Sequence, residues 1–296
     1  MKIQFVDRSS GTVKNEKVYG DTGVKILYET YPGYLLERSI LSHKPLSKIY
    51  GFYNDSRLSS RRIPTFIKEY EIPMDSFEVP SSGFRSFNEF FIRKYKNGLR
   101  PFPSDPKVMG SPAEGRVFVY DQITNDRVFP IKGQSPTLSG LLENEEMARR
   151  YKGGVGIVVR LCPVDYHRYH FPDSGEVTGF EILSGKLHSV NPTALHKDPL
   201  IFQKNERHLT YFKSQNFGTL ALLEVGALCV GKMVQTFNHK VSQKRGEEKG
   251  YFVFGASTML ILVEPGVFKP DADLLANTAK GLETYIRLGE RLGVSL

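Results

Sequence analysis

One serine, two histidines and one carboxylate, each in a distinctive local string, could carry covalent chemistry in this 296-residue chain. The string Pro163-Val164-Asp165-Tyr166-His167-Arg168-Tyr169-His170-Phe171-Pro172 sets two histidines three residues apart behind an apolar run. On a helix that spacing would suit a metal, but the bracketing prolines argue for a loop or an irregular strand. No third ligand at metal spacing accompanies them, so a zinc site is not expected. Histidines in so aromatic a setting are commonly packed and hydrogen-bonded. Beside the acid Asp165 they are also placed for general acid–base work. The second string is 246–258, a charged turn, an apolar run, and then Gly255-Ala256-Ser257-Thr258 before another apolar run. Read plainly, those small residues are a hairpin turn. Met259 stands where the hydrolase nucleophile elbow requires glycine, so that motif is excluded. A serine among small residues can still sit in a strained turn as a nucleophile. The third string, Ser111-Pro112-Ala113-Glu114-Gly115-Arg116-Val117, leads a carboxylate into a strand. Glu114 is either a surface turn acid or, if the fold brings it to a histidine, the orienting member of a Ser–His–acid set.

The elements that would position these residues change character along the chain. Residues 1–20 are polar and turn-rich, with a hairpin expected around Ser9-Ser10-Gly11. From 23 to 70, Val24, Leu27, Tyr31 and Tyr34-Leu35-Leu36 recur at helical spacing, and Pro32-Gly33, Pro45 and Pro64 cut the stretch into short helices. This stretch is dense in basic residues, among them Lys25, Arg38, Lys48, Arg57, Arg61 and Arg62. It reads either as a solvated helical face or as a basic amphipathic surface for anionic lipid. Residues 73–82 read as a linker, and 86–96 as a helix with Phe87, Phe90 and Phe91 on one side. Beyond Gly110, short apolar and β-branched runs at 116–120, 156–162, 220–230, 251–254 and 259–264 predict a largely antiparallel β region. At the end, Leu275, Thr278, Leu282, Tyr285, Gly289 and Leu292 recur at threes and fours behind Asp271 or Asp273, which predicts a closing helix. The expected class is α+β. A sandwich- or barrel-like antiparallel core follows a helical, membrane-associating N-terminal region (1–82) and carries a C-terminal helix within 83–296.

Composition bounds the partners. Forty Lys+Arg against 32 Asp+Glu give a formal net charge of +8, which suggests an anionic partner. Two cysteines, Cys162 and Cys229, exclude a disulfide scaffold and sit in apolar runs as expected buried thiols. No run approaches the ~20 apolar residues of a membrane span, and the N-terminus lacks the apolar core of a signal peptide.

Taken in order, the three strings resemble the phosphatidylserine decarboxylase family. The resemblance also rests on Ser86-Phe87-Asn88-Glu89-Phe90-Phe91-Ile92-Arg93 with Arg100-Pro101, Ile131-Lys132-Gly133, Asn205-Glu206-Arg207, Glu224-Val225-Gly226-Ala227 and Gly281-Leu282-Glu283-Thr284. It covers the chain from about Ser86 to its end. It implies a lyase, a carboxy-lyase of phospholipid biosynthesis that converts phosphatidylserine to phosphatidylethanolamine and carbon dioxide. It further implies a proenzyme that cuts its own backbone between Ala256 and Ser257. Ser257 then becomes a pyruvoyl cofactor heading an α chain (257–296), and residues 1–256 remain as the β chain. By resemblance His170 takes the Ser257 proton, Glu114 fixes that imidazole, and His167 serves decarboxylation. In chemical terms, the serine hydroxyl attacks the preceding carbonyl to give an ester. Loss of the serine α-proton then breaks the Cβ–O bond and releases the Ala256 carboxylate, leaving dehydroalanine, whose hydrolysis gives the ketone and ammonia. The ketone forms a Schiff base with the substrate amine and draws in the electrons left by carbon dioxide. The implied partners are a phospholipid substrate, an anionic membrane surface and a second copy in a homodimer. The implied location is peripheral, on the cytoplasmic face of the cell membrane.

Two positions depart from the family pattern. Its usual aspartate is Glu114 here, and a misplacement of ~1 Å can cost ~100-fold in rate. Its usual glycine before the serine is Ala256, whose Cβ crowds the attacked carbonyl. Every functional group remains, so cleavage is expected to survive at a reduced rate. The alternative is an uncleaved pseudoenzyme that binds phospholipid. The turn at 244–250 also looks like turns of biotinyl- and lipoyl-type barrels, but no swinging-arm lysine accompanies it. Nucleic-acid binding has only the charge in its favour and is not expected.

Overall fold

A computed structural model of the chain describes residues 3–17, 30, 32–33, 44–130, 135–190, 192–228, 232–255 and 257–296. In chain order its strands are β1 (Gln4–Asp7), β2 (Thr12–Asn15), β3 (Val108–Gly110), β4 (Gly115–Tyr120), β5 (Val155–Leu161), β6 (Arg168–His170), β7 (Gly175–Leu183) and β8 (Arg207–Ser214). These are followed by β9 (Thr219–Val225), β10 (Met233–Gln235), β11 (Glu248–Phe252), β12 (Ser257–Val263), β13 (Phe268–Pro270), β14 (Glu283–Ile286) and β15 (Arg291–Ser295). Nine of them form one sheet in the order β2-β1-β14-β4-β5-β12-β9-β8-β7, antiparallel throughout except for the β1–β14 pair. Two three-stranded sheets, β10-β11-β6 and β13-β15-β3, flank it. The class is α+β with a mostly antiparallel sheet, as expected. The barrel-like closure is not found, because the large sheet is open and ends at β2 and β7.

The central strands β5, β9 and β12 are buried at every position. That is why their sequences read as unbroken apolar runs rather than alternating ones. They form the main core with Phe129, Leu138, Tyr151, Phe202, Phe212 and Phe217. Because β5 runs antiparallel to both neighbours, the start of β4, the end of β5 and the start of β12 lie at one end of the sheet. Glu114 precedes β4, the two-histidine string follows β5, and Ser257 opens β12. Strand order alone therefore gathers three strings that are remote in sequence.

The expected hairpin at residues 1–20 is the β1–β2 pair, turned at Gly11 with φ +67°. It belongs to the large sheet, and Glu16 beyond it is buried between Arg116 of β4 and Arg160 of β5. Of the helical stretch at 23–70, the described part is helical at Lys44–Asp55, Arg57–Arg62 and Ile63–Tyr70, while 18–29, 31 and 34–43 lie outside the described residues. The predicted helix at 86–96 is only Phe87–Phe91, capped by the Ser86 hydroxyl accepting from the Glu89 N–H at 3.1 Å. Phe87, Phe90 and Phe91 are fully buried there, worth about 1.5–3 kcal/mol each. They anchor a second core with Ile63, Phe66, Phe77, Tyr166, Phe254 and Leu288.

The closing helix needs correction. Helix Ala272–Ala279 stops before Gly281 (φ +72°), and the rest of the pattern is strand. Tyr285 and Leu292 belong to β14 and β15, inserted beside β4 and β3. A three–four recurrence over so few residues also fits two short strands split by a turn. Asp271 holds the N-cap position, but its carboxylate accepts from Arg8 and Arg291 instead of capping.

Candidate active site

Gly255-Ala256-Ser257-Thr258 is not a hairpin, because β11 and β12 belong to different sheets. The chain crosses between them at Gly255, whose φ of +152° is a conformation that residues with a side chain rarely adopt. Ala256 lies outside the described residues. Ser257 pairs with Leu161 across β5–β12, and its hydroxyl is fully buried without a hydrogen-bond partner among the described residues. Just upstream, the Phe254 N–H donates to Asn88 Oδ1 at 3.1 Å. The Phe254 ring sits among Phe91 (4.9 Å), Phe87 (5.0 Å) and Tyr50 (5.8 Å). Helices from both sides of residue 82 thus pack against Phe254, just upstream of the serine.

Both histidines are held in one tautomer by backbone carbonyls. His167 Nδ1 lies 3.0 Å from the Asp165 carbonyl, and His170 Nδ1 lies 2.9 Å from that of Gly246. A carbonyl only accepts, so Nδ1 carries the proton in each and Nε2 presents a lone pair. His167 is fully buried against Phe91, ring centroids 3.8 Å apart, and its Nε2 has no partner among the described residues. Burial pushes its pKa down to about 3. His170 Nε2 accepts from the Tyr166 hydroxyl at 3.4 Å, and burial lowers its pKa too. Among the described residues, Asp165 does not pair with either imidazole through its carboxylate. That group is taken by Arg116 and by the Cys162 N–H at 2.6 Å. Only the backbone oxygen of Asp165 reaches His167.

Glu114 is no surface acid; it is buried and saturated. Oε1 accepts from the hydroxyls of Tyr95 and Tyr285, both at 2.8 Å. Oε2 accepts from Arg100 Nε at 3.1 Å and from the Leu288 N–H at 3.3 Å. Burial and the Glu114 charge push both phenols well above their usual range. Among the described residues no hydrogen bond joins Glu114 to His170, or His170 to Ser257. The fold thus gathers the four residues at one end of the sheet without closing a Ser–His–acid chain. Among the described residues, Glu114 connects to the histidines through rings: the tilted Tyr95 and Tyr166 rings meet at 4.6 Å, and Tyr166 in turn stacks on His170. Gly115 is required behind it, since a Cβ there would lie 2.4 Å from the Arg160 carbonyl oxygen.

Sequence reasoning missed Arg93, Tyr95, Tyr166 and Tyr285 as members of the site. Arg93 and Tyr166 lie inside strings already singled out. Nothing in the local pattern could mark Tyr285, which arrives on β14 from near the end of the chain. Separately, a cavity of about 1010 Å³ opens beside β1 and helix Ala272–Ala279, lined by Phe118, Tyr120, Val158 and Leu275 among others. None of Ser257, His167, His170 and Glu114 lines it.

The model of the family described as phosphatidylserine decarboxylase matches residues 87–294, from Phe87 into β15. The chain belongs to the phosphatidylserine decarboxylase family. A phosphatidylserine decarboxylase proenzyme of Clostridium botulinum (strain Hall) is 39% identical over 292 residues, covering 99% of both chains. One of Clostridium novyi is 38% identical over 294 residues, with 99% of this chain and all of that one aligned. A Fusobacterium nucleatum proenzyme is 37% identical over 292 residues, covering 99% of this chain and 97% of its own. These alignments extend over nearly all of residues 1–82 as well as the family-matched part.

Proposed function

We propose that this chain is a self-processing phosphatidylserine decarboxylase whose cofactor is made from Ser257. The observation that carries the reading is a pair of buried polar atoms without a hydrogen-bond partner among the described residues, Ser257 Oγ and His167 Nε2, at the end of the sheet where the three strings meet. A buried polar group without a partner costs about 1–3 kcal/mol. A fold keeps such groups where a reacting partner will engage them. Self-cleavage needs an acceptor for the Ser257 proton as its oxygen attacks the preceding carbonyl. Both imidazoles offer an unprotonated Nε2, and we assign the step to His170, with Tyr166 yielding its hydrogen bond. Glu114 then acts as a positioning residue that fixes the Tyr95–Tyr166 ring pair against His170, rather than as its direct partner.

A pyruvoyl group at Ser257 supplies an electron sink for decarboxylation of an α-amino acid. The residues present fit it, since the serine is enclosed and, among the described residues, Ser257 Oγ and His167 Nε2 have no hydrogen-bond partner. His167 is assigned to return a proton to the substrate carbon. An entering anionic headgroup favours the imidazolium, raising the Nε2 affinity for the proton that burial otherwise suppresses. The aromatic wall of Phe87, Phe91 and Phe254 excludes water from that exchange. We further assign residues 44–62 to contact with an anionic membrane surface. Ile49, Phe52 and Leu58 are exposed there beside exposed Arg57 and Arg61.

Intact-mass measurement of the purified protein tests the central claim. Two chains divided between Ala256 and Ser257, the smaller blocked at its N-terminus, are expected. A single full-length species after long incubation would overturn the enzyme reading and leave a phospholipid-binding pseudoenzyme.

A further inference from the structure

Arg93 is buried, yet among the described residues it has no ion-pair partner. Its guanidinium is sandwiched between the rings of Phe77 (4.5 Å) and Phe90 (4.8 Å). Its Nη2 donates to the carbonyls of Val164 (3.0 Å) and Asp165 (3.4 Å), Nη1 donates to that of Phe90 (3.4 Å), and Nε is unpartnered. A buried cation without a counter-ion is costly, and packing alone gives no reason to keep one. What this one holds is the bend that carries His167. The Asp165 carbonyl accepts from Arg93 on one side and from His167 Nδ1 on the other. Asp165 is pinned elsewhere by its N–H on the Cys162 carbonyl and its carboxylate on Arg116.

We propose that Arg93 is a positioning residue for His167, fixing the carbonyl that sets the imidazole's tautomer and aim. The proposal rests on the assignment of His167 as proton carrier in decarboxylation. A planar guanidinium can stack against two rings while it donates to these carbonyls, whereas a lysine ammonium, although it can donate, cannot stack. The groups facing His167 are the Phe91 ring, the Asp165 carbonyl and the Arg93 cation. Tyr95, Glu114, Asp165 and Tyr166 in turn surround Arg93 electrostatically. The cation also adds to burial in keeping His167 neutral.

The test compares Arg93→Lys and Arg93→Met with the parent for splitting by intact mass, thermal midpoint, and the pH profile of kcat on phosphatidylserine vesicles. Both variants should still split. Arg93→Lys should lose about 10- to 100-fold in kcat with KM within a few-fold, its alkaline limb staying in place because the charge remains. Arg93→Met should lose at least as much and move the alkaline limb, where the donor His167 loses its proton, to higher pH. Parental kcat and pH profile in both variants would overturn the proposal. So would folded precursors that no longer split, because the effect would then lie at Ser257. If Arg93→Met fails to fold, Arg93→Lys alone decides. His167→Ala, run alongside, separates the two claims: parental decarboxylation in it refutes the role of His167 itself. An inactive His167→Ala beside normal Arg93 variants refutes only the positioning.

Discussion

The chemistry of the site depends on how two imidazoles are denied protons. His167 is fully buried with its pKa near 3, and burial lowers His170 as well. An unfolded histidine titrates near ~6.5, so between that value and 3 the unfolded chain binds a proton that the folded His167 refuses. Stability must therefore fall as the pH drops below about 6.5. The loss from this residue alone approaches about 2 kcal/mol at pH 5. Chemical denaturation of the uncleaved Ser257→Ala precursor between pH 7 and 5 should show this slope. Adding His167→Phe should flatten it by about that amount. An unchanged slope would mean that His167 is protonated in the fold. Glu114 belongs to the same scale. Its longer side chain meets two tyrosine hydroxyls, Arg100 and the Leu288 N–H, so the exchange of aspartate for glutamate comes with a complete set of partners.

At the scale of elements, Asn88 and its neighbour Phe87 tie three segments to the strand crossing before Ser257. Asn88 donates to Asp55 Oδ1 at 2.7 Å, and its Oδ1 accepts from the Phe254 N–H. The Phe87 N–H meanwhile donates to the Ser59 hydroxyl at 2.9 Å. Helices Lys44–Asp55, Arg57–Arg62 and Phe87–Phe91 are thereby fastened to the residues that lead into the cleavage point. Asn88→Ala leaves a buried N–H and a carboxylate short of a partner, at a cost of about 1–3 kcal/mol. It should slow splitting at Ser257 by tenfold or more through loss of aim. A time course of intact mass reads this directly, and a parental rate would show that the crossing is held by the strands alone. The short helix at Phe87–Phe91 was legible from its serine cap and phenylalanine spacing. Its contact with Phe254 was not, because nothing local links residues so far apart.

At the scale of the molecule, the net charge of +8 bears on the proposed contact with an anionic membrane surface. Phe52 is 74% exposed and Ile49 65%, on the outer side of the helix whose Tyr50 meets Phe254. Lipid engaged by that face would therefore be held next to the wall of the site. Co-sedimentation with vesicles should depend on anionic lipid and weaken with salt. Phe52→Asp should reduce binding by about tenfold or more, given the ~1.5–3 kcal/mol carried by a buried phenylalanine. Equal binding by Phe52→Asp would move the membrane contact elsewhere. Among the described residues no helix is long and apolar enough to cross a bilayer.

The sequence by itself determined the residue types of the chemistry, the family, the hairpin at Gly11 and the central strands. Each of these is written in neighbours or in short periods that local sterics and burial enforce. It misread the end of the chain as a helix, since a strand added beside β4 depends on partners supplied from elsewhere. Tertiary structure alone decided that Glu114 pairs with Tyr95 and Tyr285, that Asp165 offers His167 a carbonyl rather than its carboxylate, and that Arg93 stands behind that carbonyl. The reason is physical. Hydrogen bonds between remote residues are set by strand order and by which donors burial leaves within reach, and neither is encoded in local spacing.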